Sequence, residues 1–183
     1  MIRGRLVLIT GASGGIGASC AHNLFAQGAH LALTYSSNKT AIDGLIAELQ
    51  SQGATHRLSS HKVDIGNPDD IQRLFDEIQA FHNQPGPDIL ISNAGYGKRI
   101  SDIGDISLEE FDYMITINLR ASFILSKLAV PHMKAQKWGR IIFISSIAAI
   151  GGGINGCYYA ASAGLTGMMK NLANKLAQHG INC

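Results

Sequence analysis

Five short apolar runs, at residues 6–10, 31–35, 57–63, 89–92 and 140–145, are each separated from the next by a longer stretch of helical period. Each run is too short for an ordinary helix and reads as a strand, while residues 15–27, 39–52, 68–82, 108–136 and about 158–178 read as helices. Parallel neighbours need crossover connections, and helices supply them, so the alternation predicts an α/β fold with a parallel sheet covered on both faces. With 183 residues, 46% of them hydrophobic, the chain can bury one substantial core but not two. A single domain is expected.

Local signals set several boundaries. Asn67-Pro68 is a helix cap followed by proline at the first helical position, and Ser107 stands three residues before Glu110 as a capping box. Pro85-Gly86-Pro87 is a turn, since a strand follows at once. Pro131 is expected to kink or end the long helix that contains it. Residues 181–183 look like the opening of a further strand, so the chain is expected to be truncated there.

Composition narrows the function. Fifteen basic and thirteen acidic residues are scattered without blocks, which argues against a nucleic-acid partner. No apolar stretch runs uninterrupted for the roughly 18 residues of a membrane span, and no cleavable signal is evident. Cys20, Cys157 and Cys183 match neither a disulfide framework nor a zinc site, and the seven histidines have no ligand spacing, so reduced thiols, a cytoplasmic location and no metal are expected.

The stretch from Thr10 through Gly11, Ala12, Ser13, Gly14, Gly15 and Ile16 to Gly17 follows a strand directly and opens a helix. That context marks a dinucleotide loop. Gly11 can take the tight turn, Gly15 can admit a pyrophosphate to the backbone, and Gly17 can let helix and strand pack closely.

The glycine spacing resembles that of the short-chain dehydrogenase/reductase family, and in particular its 3-oxoacyl-(acyl carrier protein) reductase-like members. Ser92-Asn93-Ala94-Gly95 resembles the family's Asn-Asn-Ala-Gly turn, Asn118 its mid-helix asparagine, and Ser146 with Tyr159 its catalytic serine and tyrosine. The resemblance implies a Rossmann-type doubly wound sheet, and a reaction interconverting a ketone and a secondary alcohol. It further implies that Ser13, Ile16, Asp64, Asn93, Ala94 and Gly95 contact the cofactor, that a homodimer or homotetramer forms, and that the section closing over the substrate lies beyond Cys183. About 20 residues past the glycines, where a carboxylate would select NAD(H), stand Thr34, Tyr35, Ser36, Ser37, Asn38 and Lys39. NADP(H) is therefore favoured over NAD(H).

A phenol, with an ordinary pKa of about 10, makes a poor proton donor at neutral pH unless a cation stands nearby, and a lysine four residues along a helix would supply it. Tyr159 has Ser146 thirteen residues before it and Ala163 four after, whereas Tyr158 has Ser145 and Ser162 at those offsets. Neither register provides the lysine. Tyr159 is taken as the acid, because the second serine of the pair is the partner that the resemblance implies. Lys170 lies eleven residues past Tyr159, about 16 Å along a helix, too far to substitute. The competing reading is a non-catalytic or impaired dinucleotide-binding protein.

Overall fold

The computed structural model describes residues 2–53, 57–151 and 156–183. Six parallel strands, β1 (Leu6–Ile9), β2 (His30–Tyr35), β3 (Leu58–Lys62), β4 (Ile89–Ser92), β5 (Gly139–Phe143) and β6 (Ile181–Asn182), form one sheet in the order 3-2-1-4-5-6. The expected strand at 181–182 pairs with β5 through Gly139 and Ile181. β1 is buried along its whole length, and successive side chains point to opposite faces. Leu6 and Leu8 join one core, while Val7 and Ile9 join the other.

The helices are divided between those two cores. α1 (Gly15–Ala26) and α2 (Lys39–Ser51) cover the second, whereas α3 (Pro68–His82) and α5 (Ala121–Ala135) cover the first together with the end of α7 (Gly156–Leu176). α4 (Leu108–Ile115) leads into α5, and the four-residue α6 (Ala148–Gly151) precedes α7. Winding runs outward in both directions from β1 and β4, so the chain reverses its order between them. In such sheets a crevice opens at that point, outside the carboxyl ends of the strands.

The caps hold in part. Asn67 accepts from the Asp69 amide at 2.9 Å with Pro68 behind it, and Ser107 Oγ accepts from the Glu110 amide at 3.2 Å. The reciprocal half of the box is spent elsewhere, for the Glu110 carboxylate stands 3.4 Å from Lys98 Nζ.

Pro131 neither ends nor divides its helix, as α5 continues to Ala135. The break in regularity lies upstream, in a π-helical turn at Thr116–Arg120 between α4 and α5. Together these segments form a helical run of 28 residues, long and apolar enough by composition to cross a membrane. Its length matches the helix expected over residues 108–136, while its apolar content exceeds what the interrupted pattern suggested. Its Leu125, Ala129 and Met133 are buried against the sheet.

Candidate active site

The carboxyl ends of β1 and β4 are tied together by one hydroxyl. Thr10, fully buried, accepts through Oγ1 from the amides of Asn93 at 3.0 Å and Ala94 at 2.9 Å. Asn93 answers by donating Nδ2 to the carbonyls of Thr10 and Gly11, at 2.9 and 3.2 Å. This lattice holds the glycine loop against the β4 turn.

The glycines divide their work. Gly11 turns at φ 65°, and a Cβ there would lie 3.0 Å from the Ala94 backbone. A Cβ on Gly17 would meet the Gly11 carbonyl at 2.6 Å and Ala12 Cα at 2.8 Å, so it is the close-packing glycine of the helix start. Gly15 is different, since no atom lies within 4 Å of its Cβ position. The backbone there faces open space at the first residue of α1, which has no side-chain cap. The first amides of a helix lack internal partners, and with the helix dipole they favour an anion.

A cleft of about 510 Å³ opens over this loop. Its walls include Gly11, Ser13, Gly15 and Ile16 from the loop, Ser36 from beyond β2, Asp64 from beyond β3, and Asn93, Ala94 and Gly95 from the β4 turn. Gly17 lies behind the wall as a packing residue, and Ser37 and Asn38 do not line it. Asn38 instead caps α2, accepting from the Ala41 amide at 3.0 Å. Asp64 Oδ1 accepts from the Gly66 amide at 2.9 Å, and Lys39 forms an exposed pair with Asp43 at 2.6 Å.

Thr34, from the polar run after the glycines, also lines the cleft, as do Tyr96 and Tyr113, which were not anticipated. Thr34 Oγ1 accepts from the Gly11 amide at 3.2 Å, and the rings of Tyr96 and Tyr113 meet edge to face at 4.9 Å. Burial, reinforced by the Glu110 carboxylate, raises the Tyr96 phenol above its ordinary range. Neither tyrosine carried a signal in the sequence.

Asn118 sits within the π-helical turn and is 8% exposed. Its Oδ1 accepts from the Tyr96 amide at 2.8 Å, and its Nδ2 donates to the Tyr96 carbonyl at 2.7 Å. The side chain thus clamps the loop after β4. π-helical turns concentrate at functional sites, and this one presents Asn118 to a second recess of about 250 Å³ that shares Ile16 and residues 93–96 with the first.

That recess brings in Tyr158 rather than the Tyr159 expected from the sequence. Its wall is built by Ser145, Tyr158 and Ser162, with neither Ser146 nor Tyr159 among its lining residues. Helix α7 buries Cys157, Ala161 and Leu165 as one stripe, and Gly164 lies so close to Leu119 that a Cβ would stand 2.8 Å from Cδ2. Those contacts fix the rotation of the helix. Tyr158 and Ser162, one turn apart, then fall on the crevice side, with the Tyr158 ring edge 3.5 Å from the Cβ position of Gly97. Tyr159 is turned outward and 40% exposed.

The serines follow the same division. Ser146 Oγ accepts from the Ala148 amide at 3.2 Å at the start of α6, whereas Ser145 Oγ donates to the Ser162 carbonyl at 3.2 Å. Among the described residues no group of histidine, cysteine, aspartate or glutamate side chains is placed to hold a metal ion, and His56 lies outside them.

The architecture and the loop have counterparts among known proteins. A 3-oxoacyl-[acyl-carrier-protein] reductase from Rickettsia bellii is 36% identical over 181 residues, covering 98% of this chain and 70% of its own length. A D-beta-hydroxybutyrate dehydrogenase from Cupriavidus necator is 33% identical over 99% of this chain and 68% of its own length. The crystal structure of a metagenomic short-chain oxidoreductase in complex with NADP superimposes with a TM-score of 0.89 at 32% identity, covering 98% of this chain and 80% of that one. Residues 5–183 match the short chain dehydrogenase family model, and the chain belongs to the short-chain dehydrogenase/reductase family.

Proposed function

We propose that this protein is an NADP(H)-dependent oxidoreductase that interconverts a ketone and a secondary alcohol. The observation that carries the reading is the uncapped start of α1, where Gly15 leaves open backbone facing a 510 Å³ cleft. The residues present fit a dinucleotide. The Gly11 turn, the α1 amides and Ser13 would hold its pyrophosphate, Ser36 and Asp64 its adenosine half, and Asn93, Ala94 and Gly95 its nicotinamide half.

Bound there, a reduced nicotinamide supplies the hydride that a carbonyl carbon receives. The protein must then deliver a proton to the carbonyl oxygen. Tyr158, in the wall of the adjoining recess, is the donor we assign; its hydroxyl proton passes to the oxygen, leaving a phenolate that solvent reprotonates. Ser145 would hydrogen-bond the same oxygen. Asn118 acts as a positioning residue by fixing the loop at Tyr96.

The absence of a carboxylate from the β2 end of the cleft supports NADP(H), because Thr34, Tyr35 and Ser36 stand there and would not repel a 2'-phosphate. A 3-oxoacyl thioester is our substrate class, supported by the Rickettsia relative. A homodimer or homotetramer in the cytoplasm completes the reading, supported by exposed apolar side chains such as Leu108 and Phe123 on α4 and α5.

The alternative, a dinucleotide-binding protein impaired in turnover, is favoured by Ser162 standing one turn beyond Tyr158. Calorimetric titration with NADPH and NADH, beside reductase assays on β-keto esters and thioesters, tests both. Tighter NADPH binding with turnover is expected. Binding without turnover favours the alternative, and no binding of either nucleotide overturns the whole reading.

A further inference from the structure

The connections leading into β1, β2 and β3 meet at the amino-terminal edge of the sheet around a hollow of about 280 Å³. Arg3, Gly28 and Arg57 line it from those connections, and Phe25, Ala26 and Gln52 from the ends of α1 and α2. The dinucleotide cleft lies at the other end of β2, whose six residues span about 20 Å. The two sites are separate.

Both charged groups of the hollow are arginines, and no carboxylate lines it. Gly28 turns at φ 88°, and the Arg3 stem packs there with Cγ 3.1 Å from the glycine's Cβ position. Arg57 is half-buried, its guanidinium 4.6 Å from the centre of the buried Phe25 ring. The Arg57 Nε is itself buried and has no acceptor. Such groups are rare in proteins, because a buried donor without a partner has lost water's hydrogen bond and gained none. Among the described residues neither arginine joins an ion pair, whereas Arg5 and Arg73 hold Asp88, Asp70 and Glu77.

The helix ends do not consume this charge. The carbonyls of Leu24 and Phe25 accept from the Ala29 and Gly28 amides, and those of Leu49 and Gln50 accept from Gln52 and Gly53. Each helix carboxyl end brings a partial charge of about −0.5, so α1 and α2 together offset half of what the two arginines carry. The hollow stays positive.

We propose that it is a binding site for a phosphate dianion, free or as the monoester of a small alcohol, independent of the dinucleotide cleft. One guanidinium fork engages two oxygens of an anion, and two forks on different segments call for more oxygens around one centre than a carboxylate carries. A phosphate has them. The Arg57 Nε then gains its acceptor, and the Gln52 amide in the same wall offers further donors. The volume, close to the lower bound of about 300 Å³ for ligand pockets, takes the phosphate together with a small organic substituent.

Calorimetric titration of the whole chain with glycerol 3-phosphate and with orthophosphate, above the second phosphate pKa of about 6, tests this beside acetate at equal ionic strength. Saturable binding is expected for the phosphates and none for acetate. Arg3→Gln and Arg57→Gln should each weaken it about tenfold or more, the scale of a hydrogen bond to a charged group. Phosphate also suits the start of α1, so the titration is repeated with saturating NADPH and in Gly15→Ala; the arginine-dependent heat should remain in both.

Tighter binding of glycerol 3-phosphate assigns a monoester, and equal binding assigns free phosphate. Should Arg57→Gln melt early, Arg57→Lys keeps the stem and the charge but not the fork, and should still weaken binding. The Arg57 Nε–H proton resonance, moved by phosphate in the parent, reads the contact directly. The proposal is overturned if neither phosphate binds, if acetate binds as well, or if the heat is unchanged in both arginine variants. Failure of NADPH to bind would bear on the dinucleotide reading alone.

Discussion

The hydroxyl of Ser145 donates to the carbonyl of Ser162 across 3.2 Å, joining the end of β5 to the turn of α7 that follows Tyr158. The bond shows how the two halves of the recess are registered. Residues one place further along, Ser146 and Tyr159, take no part in it: one caps a turn and the other faces outward. Replacing Tyr158 with phenylalanine should therefore abolish any reductase activity while Tyr159→Phe preserves it, both variants keeping the parent's NADPH affinity. The reverse ranking would return the acid to Tyr159.

Gly15 and Gly17 are two residues apart and should respond oppositely to alanine. In Gly17→Ala the methyl must displace the backbone of Gly11 and Ala12, which should cost about 1–3 kcal/mol and lower the melting temperature. In Gly15→Ala the methyl meets no protein atom, so stability should hold or rise by roughly 0.5–1 kcal/mol, with NADPH affinity reduced because the methyl occupies phosphate space. Thermal melts with and without nucleotide separate the two. Equal destabilisation of both would show that Gly15 serves packing alone.

Thr10→Val removes one hydroxyl of nearly equal volume but orphans the amides of Asn93 and Ala94, both now served by Oγ1. An unsatisfied buried donor costs about 1–3 kcal/mol. A loss of about 2 kcal/mol in urea unfolding is expected, together with weaker nucleotide binding as the β4 turn separates from the glycine loop. A valine variant as stable as the parent would mean that water readily replaces the hydroxyl.

Much of this was legible in the chain because it is local. The apolar run of β1, the glycines that follow it and the cap at Asn67 each specify their own geometry. The rotation of α7 is not local. It depends on Cys157, Ala161 and Leu165 finding the core and on Gly164 meeting Leu119 from a different helix, and a shift of one residue turns the face by about 100°. Spacing from the serine pair carries no information about that contact, so both registers satisfied it. The π-helical turn was hidden for a similar reason: its extra residue is stabilised by Asn118 bonding to the backbone of Tyr96, 22 positions earlier.

A cluster remote from the cleft should dominate the mildly acidic stability profile. His82 Nε2 lies 2.8 Å from Ser59 Oγ, which in turn meets His61 Nε2 at 2.9 Å, while His61 Nδ1 faces Glu77 at 2.7 Å. Burial, followed by the neighbouring His30 and His61, lowers the His82 pKa from 6.5 to about 4. The folded state therefore resists taking a proton that the unfolded chain accepts. Between about pH 6.5 and 4 the unfolded chain binds more protons, so stability must fall as the pH is lowered through that window and level off, for this group, below it. Glu77 acts on the acid side of the same range. Burial opposes its charge, but hydrogen bonds from His61 and Arg73 outweigh it and hold the carboxyl below 4.5, so its contribution is present above that value and lost below it. Urea midpoints measured from pH 7 to 4 should decline in the parent and decline less in His82→Gln, whose amide carries no titrating proton. Parallel curves for the two proteins would place the acid sensitivity outside this histidine.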